Sequence, residues 1–206
     1  LNGLYDRFGN DRIITTPISE EATTGMVLGA ALAGMRPIQV HIRVDFMLLS
    51  VNQIVNMISN AVFSSAGKQK VPLVIRAVVG RGWGQGYQHS KSLHGMFSQI
   101  PGLDVIMPTT PYDVKGMLKA AIRSEGPVIC FEHRWLYWQV GEVPNEDYIV
   151  DYSSPAQLQS GEDVTFIGSS WMNVEIKMAI ETLTKKIHEL ERNYFPITIE
   201  KKIKKL

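Results

Sequence analysis

The chain has one cysteine in 206 residues, Cys130, which excludes an internal disulfide and a cysteine-built zinc centre and points to an intracellular setting. It has no excess of charge of either sign: 21 Lys and Arg stand against 20 Asp and Glu, leaving a formal net charge of +1. A nucleic-acid partner is therefore not expected, and with 45% apolar residues the composition is that of a packed chain rather than a disordered one. Long hydrophobic runs are also lacking. The longest, MVLGAALAGM from Met26 to Met35, is far short of the roughly 18 residues of a membrane span, so no membrane partner is expected. No secretory leader is visible, and because the chain starts at Leu1, its natural start is expected upstream.

What is present is an alternation of short β-branched runs with helical stretches from Arg12 to about Glu132. PIQVHIRV (37–44), PLVIRAVV (72–79), DVIMP (104–108) and PVICFEH (127–133) read as strands, and RIITT (12–16) is strand-like. TPISEEATTGMVLGAALAG, MLLSVNQIVNMISNAVFSS, SLHGMFSQI and TPYDVKGMLKAAIRSEG read as the helices between them. The last has the clearest start, with Thr110 as N-cap, Pro111 in the first turn and Asp113 at its positive end. Apolar strands separated by helices imply an α/β fold, a parallel sheet covered by helices on both faces. Ligands of such sheets sit at the carboxyl ends of the strands.

After the polar stretch of residues 149–162, GEDVTFIGSSWMNVEIKMAIETLTKK reads as a strand at Val164–Gly168, a turn and a helix, the opening of an incomplete second α/β domain over residues 163–206. One strand and two helices do not close such a core. Either a piece has been lost from the middle or intervening residues are left out of this numbering, the second reading being preferred.

Three places invite chemistry. In TTPISEEATTG the carboxylates Glu20 and Glu21 fall in a helix's first turn, where they ordinarily just complement the dipole. The small residues that follow, Gly25, Gly29, Ala30, Ala33 and Gly34, imply close packing, which could hold one glutamate in a dry place as a proton-transfer group. In HIRVDFMLLS, Phe46 stands where a strand meets a helix, as a core side chain or as a ring offered to a planar cofactor. Arg43 and Asp45 beside it have the look of loop charges.

In GRGWGQGYQHS four glycines alternate from Gly80 to Gly86 and lead to His89. The stretch is neither a dinucleotide fingerprint, whose third glycine would fall at Gln85, nor a phosphate-binding P-loop. Alternate glycines let a loop approach another backbone or a ligand closely. His89 reads as a surface residue or as an imidazole delivered to a site just ahead of a helix. All three places fall at the same edge of one sheet.

In combination, TPISE (16–20), GAALAGMRPI (29–38), DFMLLSVNQIVN (45–56), QHS (88–90) and IPGLDVIMPTTPYDVKGMLKAAIR (100–123) resemble the transketolase-like pyrimidine-binding domain of the thiamine-diphosphate-dependent 2-oxoacid dehydrogenases. The resemblance is to the beta subunit of their decarboxylating component, of pyruvate, branched-chain or acetoin type. It extends from Arg12 to about Tyr148, about two-thirds of the chain, and the domain it implies takes in residues 1–148. DVTFIGSS resembles the start of that family's C-terminal domain, and NYFPITIEKKIKKL its last helix.

The resemblance implies roles residue by residue. Glu20 matches the glutamate that hydrogen-bonds the aminopyrimidine of thiamine diphosphate and so promotes loss of the thiazolium proton. Phe46 matches the aromatic that stacks on the pyrimidine, Ile18 and Ile42 match further cofactor-binding positions, and His89 matches the active-site histidine that handles protons. A monovalent cation, potassium in some members, lies at the positions of Leu73, Ala121, Ile122, Ser124 and Gly126, where Ser124 and Gly126 here replace an Asp and an Asn. No Gly-Asp-Gly with a downstream Asn occurs in this sequence, so the diphosphate and its magnesium are expected on an alpha subunit in an alpha2-beta2 assembly. A lipoyl-bearing acyltransferase is the implied further partner, and a bacterial cytoplasm or an organelle matrix the implied setting. The alternatives are the pyrimidine-binding half of another transketolase-like enzyme and a non-catalytic assembly subunit.

Overall fold

The computed structural model describes residues 3–203, with side chains for residues 3–193. The stretch NYFPITIEKKIKKL therefore lies largely outside the described side chains, and its last three residues outside the described backbone. The helices are α1 (Leu4–Phe8), α2 (Glu20–Leu32), α3 (Val44–Met47), α4 (Ser59–Ser64), α5 (His94–Ser98), α6 (Pro111–Arg123) and α7 (Trp171–Ile203). The strands are β1 (Ile38–His41), β2 (Val74–Val79), β3 (Asp104–Ile106) and β4 (Val128–His133).

All strand pairings among the described residues are parallel, in the order β1-β2-β4-β3. Val74 pairs with Ile38 on one side and Val128 on the other. Alternation along each strand then sorts the side chains onto two faces. Ile75, Ala77, Val79, Ile129 and Phe131 bury against Leu28 and Ala31 of α2, Val44 and Met47 of α3, Phe97 of α5, and Ile54 and Ile58 between α3 and α4. Val74, Val128, Cys130 and Ile106 bury against Ala121, Met117 and Leu118 of α6. Both faces carry helices, as the alternating pattern implies.

Helix α6 starts where its chemistry dictates. The Thr110 hydroxyl accepts from the Asp113 N–H at 3.1 Å, and the Asp113 carboxylate accepts from the Thr110 N–H at 3.0 Å, a reciprocal capping box. Packing across this helix continues past residue 148. Tyr148 stacks on Tyr112 with centroids 4.5 Å apart, and Tyr152 lies against the cluster beneath α6.

Three elements depart from the sequence reading. RIITT forms no strand, because no neighbouring strand offers it a ladder. The helix expected over 47–65 is broken into α3, a 3₁₀ turn (Leu48–Ser50), a π-helical segment (Asn52–Ile58) and α4. Buried Ser50 lies 2.9 Å from the Thr24 hydroxyl, and Ser59 donates back to the Val55 carbonyl at 2.5 Å. The first is a tertiary contact and the second a local side-chain bond to the preceding turn, of the kind that distorts helices. Val164–Gly168 forms no strand either and is exposed, since a strand needs a partner edge. The helix beyond it docks through its first turns: Trp171 stacks on His133 with centroids 6.0 Å apart, and Asn173 donates to Thr109 at 2.9 Å.

Candidate active site at the carboxyl edge of the sheet

Because α2 precedes β1 and packs antiparallel to it, its amino terminus lies at the carboxyl edge of the strands, level with His41. Glu20 is half-buried there and Glu21 is exposed. The helix start is locked to β1: Gln39 donates to the Thr23 and Thr24 hydroxyls at 3.1 and 2.9 Å, and Thr24 donates to the Glu20 carbonyl at 2.7 Å. Burial lowers the pKa of His41, and the charge of Glu20 partly offsets that. His41 Nε2 is buried with no hydrogen-bond partner among the described residues. At the glycines of this stretch the expected close packing is not supplied by the described residues. A Cβ at Gly29 or Gly34 would meet nothing within 4 Å among the described residues, and one at Gly25 only Gln53 at 3.9 Å.

Phe46 is not a core side chain. The residue is 40% exposed, and its ring meets the imidazole of His89 edge-on, with centroids 5.2 Å apart and planes at 71°. Asp45 and Lys91, adjacent to that pair, hold it: Lys91 donates to Asp45 Oδ1 at 2.8 Å, and the Asp45 side chain is only 5% exposed. Lys91 also donates to the Tyr87 carbonyl at 3.2 Å. His89 Nδ1 is buried and unpartnered among the described residues. A 3₁₀ turn, Tyr87–His89, carries the imidazole, and the helix expected over SLHGMFSQI is present as α5, starting at His94, two residues later than read from the sequence.

The glycine loop is closed by the Gly80 N–H, which donates to the Lys91 carbonyl at 3.3 Å. Its first two glycines are needed for sterics. A Cβ on Gly80 would sit 2.5 Å from His133 Nε2, and one on Gly82 would sit 2.6 Å from the Trp135 ring, with φ of +111° and +89°. The close approach is therefore to aromatic rings at the end of β4. Gly84 and Gly86 face open space but keep φ of +74° and +72°, a region costly to residues with a Cβ. Arg43, buried, donates to the Gln85 amide oxygen and to the Ile42 carbonyl, the latter at 2.6 Å. Its guanidinium lies 5.5 Å from the Trp83 ring, which Arg134 also approaches at 5.1 Å. Arg43 and Asp45, read from the sequence as loop charges, and Lys91 and Gln85, to which it gave no role, are engaged only by pairing across the fold.

Residues 1–139 match the family of the transketolase pyrimidine-binding domain. The chain belongs to this family. It is 41% identical over 189 residues to the pyruvate dehydrogenase E1 component subunit beta-2 (chloroplastic) of Arabidopsis thaliana, covering 92% of this chain and 47% of that protein. It is 42% identical over 166 residues to the 2-oxoisovalerate dehydrogenase subunit beta of Bacillus subtilis, covering 80% of this chain and 51% of the relative. A third relative, the acetoin:2,6-dichlorophenolindophenol oxidoreductase subunit beta of Cupriavidus necator, is 42% identical over 92% of this chain and 56% of its own length. The chain thus spans about half the length of these relatives. Among solved structures, a split-gene transketolase described as an inactive beta4 tetramer superposes with a TM-score of 0.72 at 21% identity, covering 90% of this chain and 57% of the other, a likeness of fold.

For a pyrimidine-binding domain, the carboxyl edge offers a fitting surface: a half-buried carboxylate, a part-exposed ring and two open aliphatic side chains, Ile18 at 94% and Ile42 at 74% exposure. Cys130 adds no nucleophile, because burial pushes its thiol up to about 12. Among the described residues no group of three or more His, Cys, Asp or Glu could hold a metal ion. The five positions matched to a monovalent cation are already engaged. The carbonyls of Leu73 and Ala121 accept from the N–H groups of Val128 and Ser124 at 3.0 and 3.2 Å. Those of Ile122 and Ser124 accept from Arg36 Nη1 at 3.0 and 2.7 Å. The Ser124 hydroxyl accepts from the Gly126 N–H at 3.1 Å.

Proposed function

We propose that this chain is the beta-type, pyrimidine-holding half of a thiamine-diphosphate-dependent 2-oxoacid dehydrogenase component, active when joined to an alpha subunit. The reaction is oxidative decarboxylation of a 2-oxoacid with transfer of the acyl group to a lipoyl carrier on an acyltransferase. The observation that carries this reading is the Phe46–His89 pair held by Lys91–Asp45 at the strand edge where α2 brings Glu20.

Thiamine diphosphate, when bound, supplies a nucleophilic thiazolium carbon and a sink for the electron pair left as carbon dioxide departs. Glu20 would hold a proton at the ring nitrogen of the aminopyrimidine. Phe46 would offer a face for that ring to stack on, with Ile18 and Ile42 as apolar walls that exclude water. His89, with an unpartnered ring nitrogen beside Phe46, would hold or move a proton at the substrate end. The diphosphate and its magnesium would be held by the alpha subunit, and a bacterial cytoplasm or an organelle matrix suits the assembly.

Mild purification of the chain from its native cells, followed by mass spectrometry and a 2-oxoacid assay of the isolated complex, tests this. A stoichiometric partner containing Gly-Asp-Gly with a downstream Asn, together with thiamine-diphosphate-dependent decarboxylation, is the expected result. A homo-oligomer without such a partner and without decarboxylation would leave the assembly-subunit reading instead.

A further inference from the structure

Arg43 is buried and takes part in no ion pair among the described residues. Its charge is met only by neutral oxygens, of the Gln85 amide and the Ile42 carbonyl, and by the Trp83 ring. A guanidinium taken out of water without an anion leaves most of its desolvation cost uncompensated. The same Trp83 ring carries a second cation, Arg134, which also enters no ion pair among the described residues. All four residues lie outside the stretches that carry the family resemblance, so the resemblance assigns them nothing.

The donors here outnumber the acceptor. Arg43 Nε and Trp83 Nε1 each donate to Gln85 Oε1 at 3.0 Å, and Arg43 Nη2 donates to the same oxygen. An amide oxygen offers about two lone pairs to these N–H groups, whereas a carboxylate offers about four and a matching charge. Nη1 and Nη2 each keep a further N–H without a partner among the described residues, and such a fork is what receives a carboxylate. Gln85 itself is exposed, and nothing among the described residues lies within 4 Å of where a Cβ of Gly84 or Gly86 would stand. The amide is therefore free to turn away and leave its donors to a ligand.

Arg43 stands three residues before Phe46, and Gln85 four before His89, so the donor set borders the proposed site from both of its segments. A positive charge facing the carboxylate that leaves as carbon dioxide would favour the ground state and lose its partner as the reaction proceeds. The anion that suits Arg43 is one that persists through the reaction. We propose that Arg43 and Trp83 receive a second carboxylate, at the far end of the substrate's side chain, so that the substrates are dicarboxylic 2-oxoacids. Gln85 holds the place of that carboxylate until substrate arrives. The assignment rests on the reading of this chain as half of a 2-oxoacid dehydrogenase component.

The test uses the full chain with the partner that co-purifies. Steady-state decarboxylation of 2-oxoglutarate and 2-oxoadipate is compared with that of 2-oxopentanoate and 2-oxohexanoate, which match them in length without the second charge. kcat/KM is expected to favour the dicarboxylic acids by about tenfold or more, mainly through KM. Arg43→Met is expected to erase that preference. Gln85→Glu, which ties a carboxylate to the same donors, is expected to raise the thermal midpoint and to erase the preference as well, and it replaces Arg43→Met should that variant fail to fold. Equal kcat/KM for charged and neutral acids, or a preference that survives either substitution, would overturn the proposal and leave the dehydrogenase reading in place. If no 2-oxoacid is decarboxylated, that reading falls, and calorimetry with glutarate decides the carboxylate site alone: saturable binding that Gln85→Glu abolishes supports it, and no binding overturns it.

Discussion

The imidazole of His89 approaches the ring of Phe46 edge-on at 5.2 Å, and Lys91, two residues after the histidine, closes a salt bridge at 2.8 Å to Asp45, the residue before the phenylalanine. Residues 45 and 91 are 46 positions apart in sequence. A loop free to use left-handed backbone at four alternate positions is what lets the second segment return onto the first. The pairing turns two residues with ordinary alternatives, core ring and surface histidine, into one surface feature at the carboxyl edge of a parallel sheet.

Phe46→Ala should therefore separate binding from folding. A residue 40% exposed contributes little to the core, so the unfolding midpoint should fall far less than for Phe131→Ala, which removes a fully buried ring at a cost of about 3–5 kcal/mol. Thiamine diphosphate affinity of the assembled enzyme, measured by calorimetry, should weaken by about 1–3 kcal/mol if the ring stacks on the cofactor. Unchanged affinity would remove Phe46 from the site.

His41 gives the fold a pH dependence of definite sign. Burial holds its folded pKa below the ordinary 6.5, so the unfolded chain binds the proton more readily. Stability is full above about pH 6.5 and declines as pH falls through that value toward the lower folded pKa. His133 is shifted in the same direction by burial. Denaturant unfolding between pH 5 and 8 should show the decline, and His41→Gln should lessen it, leaving the part due to His133.

The glycines of the loop should not be equivalent. Gly80→Ala forces a Cβ to 2.5 Å from His133 at a φ of +111°, whereas Gly84→Ala meets open space at +74°. The second should cost the backbone strain alone, about 1–2 kcal/mol. The first should cost more and displace the His133 ring. Chemical denaturation of both variants, with the His133 ring resonances followed by NMR, checks the order.

Much of this architecture was legible in the sequence because it is written in local patterns. VIRAVV and VICFEH alternate or run apolar as buried parallel strands do, and Thr110, Pro111 and Asp113 announce the start of α6. RIITT and Val164–Gly168 carry the same β-branched signal yet form no strand, since propensity provides no ladder partner. The break over residues 44–64 depends on Ser50 meeting Thr24, a contact across 26 positions that no window along the chain contains. At the site, Glu20, Phe46 and His89 were reachable from motif order. Lys91 and Arg36 were not, because a surface lysine or arginine has no distinguishing local pattern until its partner, 46 or more than 80 positions away, is in place.

The most direct measurement of the central claim is the turnover of Glu20→Gln in the assembled enzyme, with thiamine diphosphate affinity measured on the same sample. If Glu20 holds the aminopyrimidine proton, decarboxylation of the 2-oxoacid falls by orders of magnitude while the chain remains folded and assembled. Near-normal turnover would contradict the account and return Glu20 to the ordinary role of a carboxylate at the start of a helix.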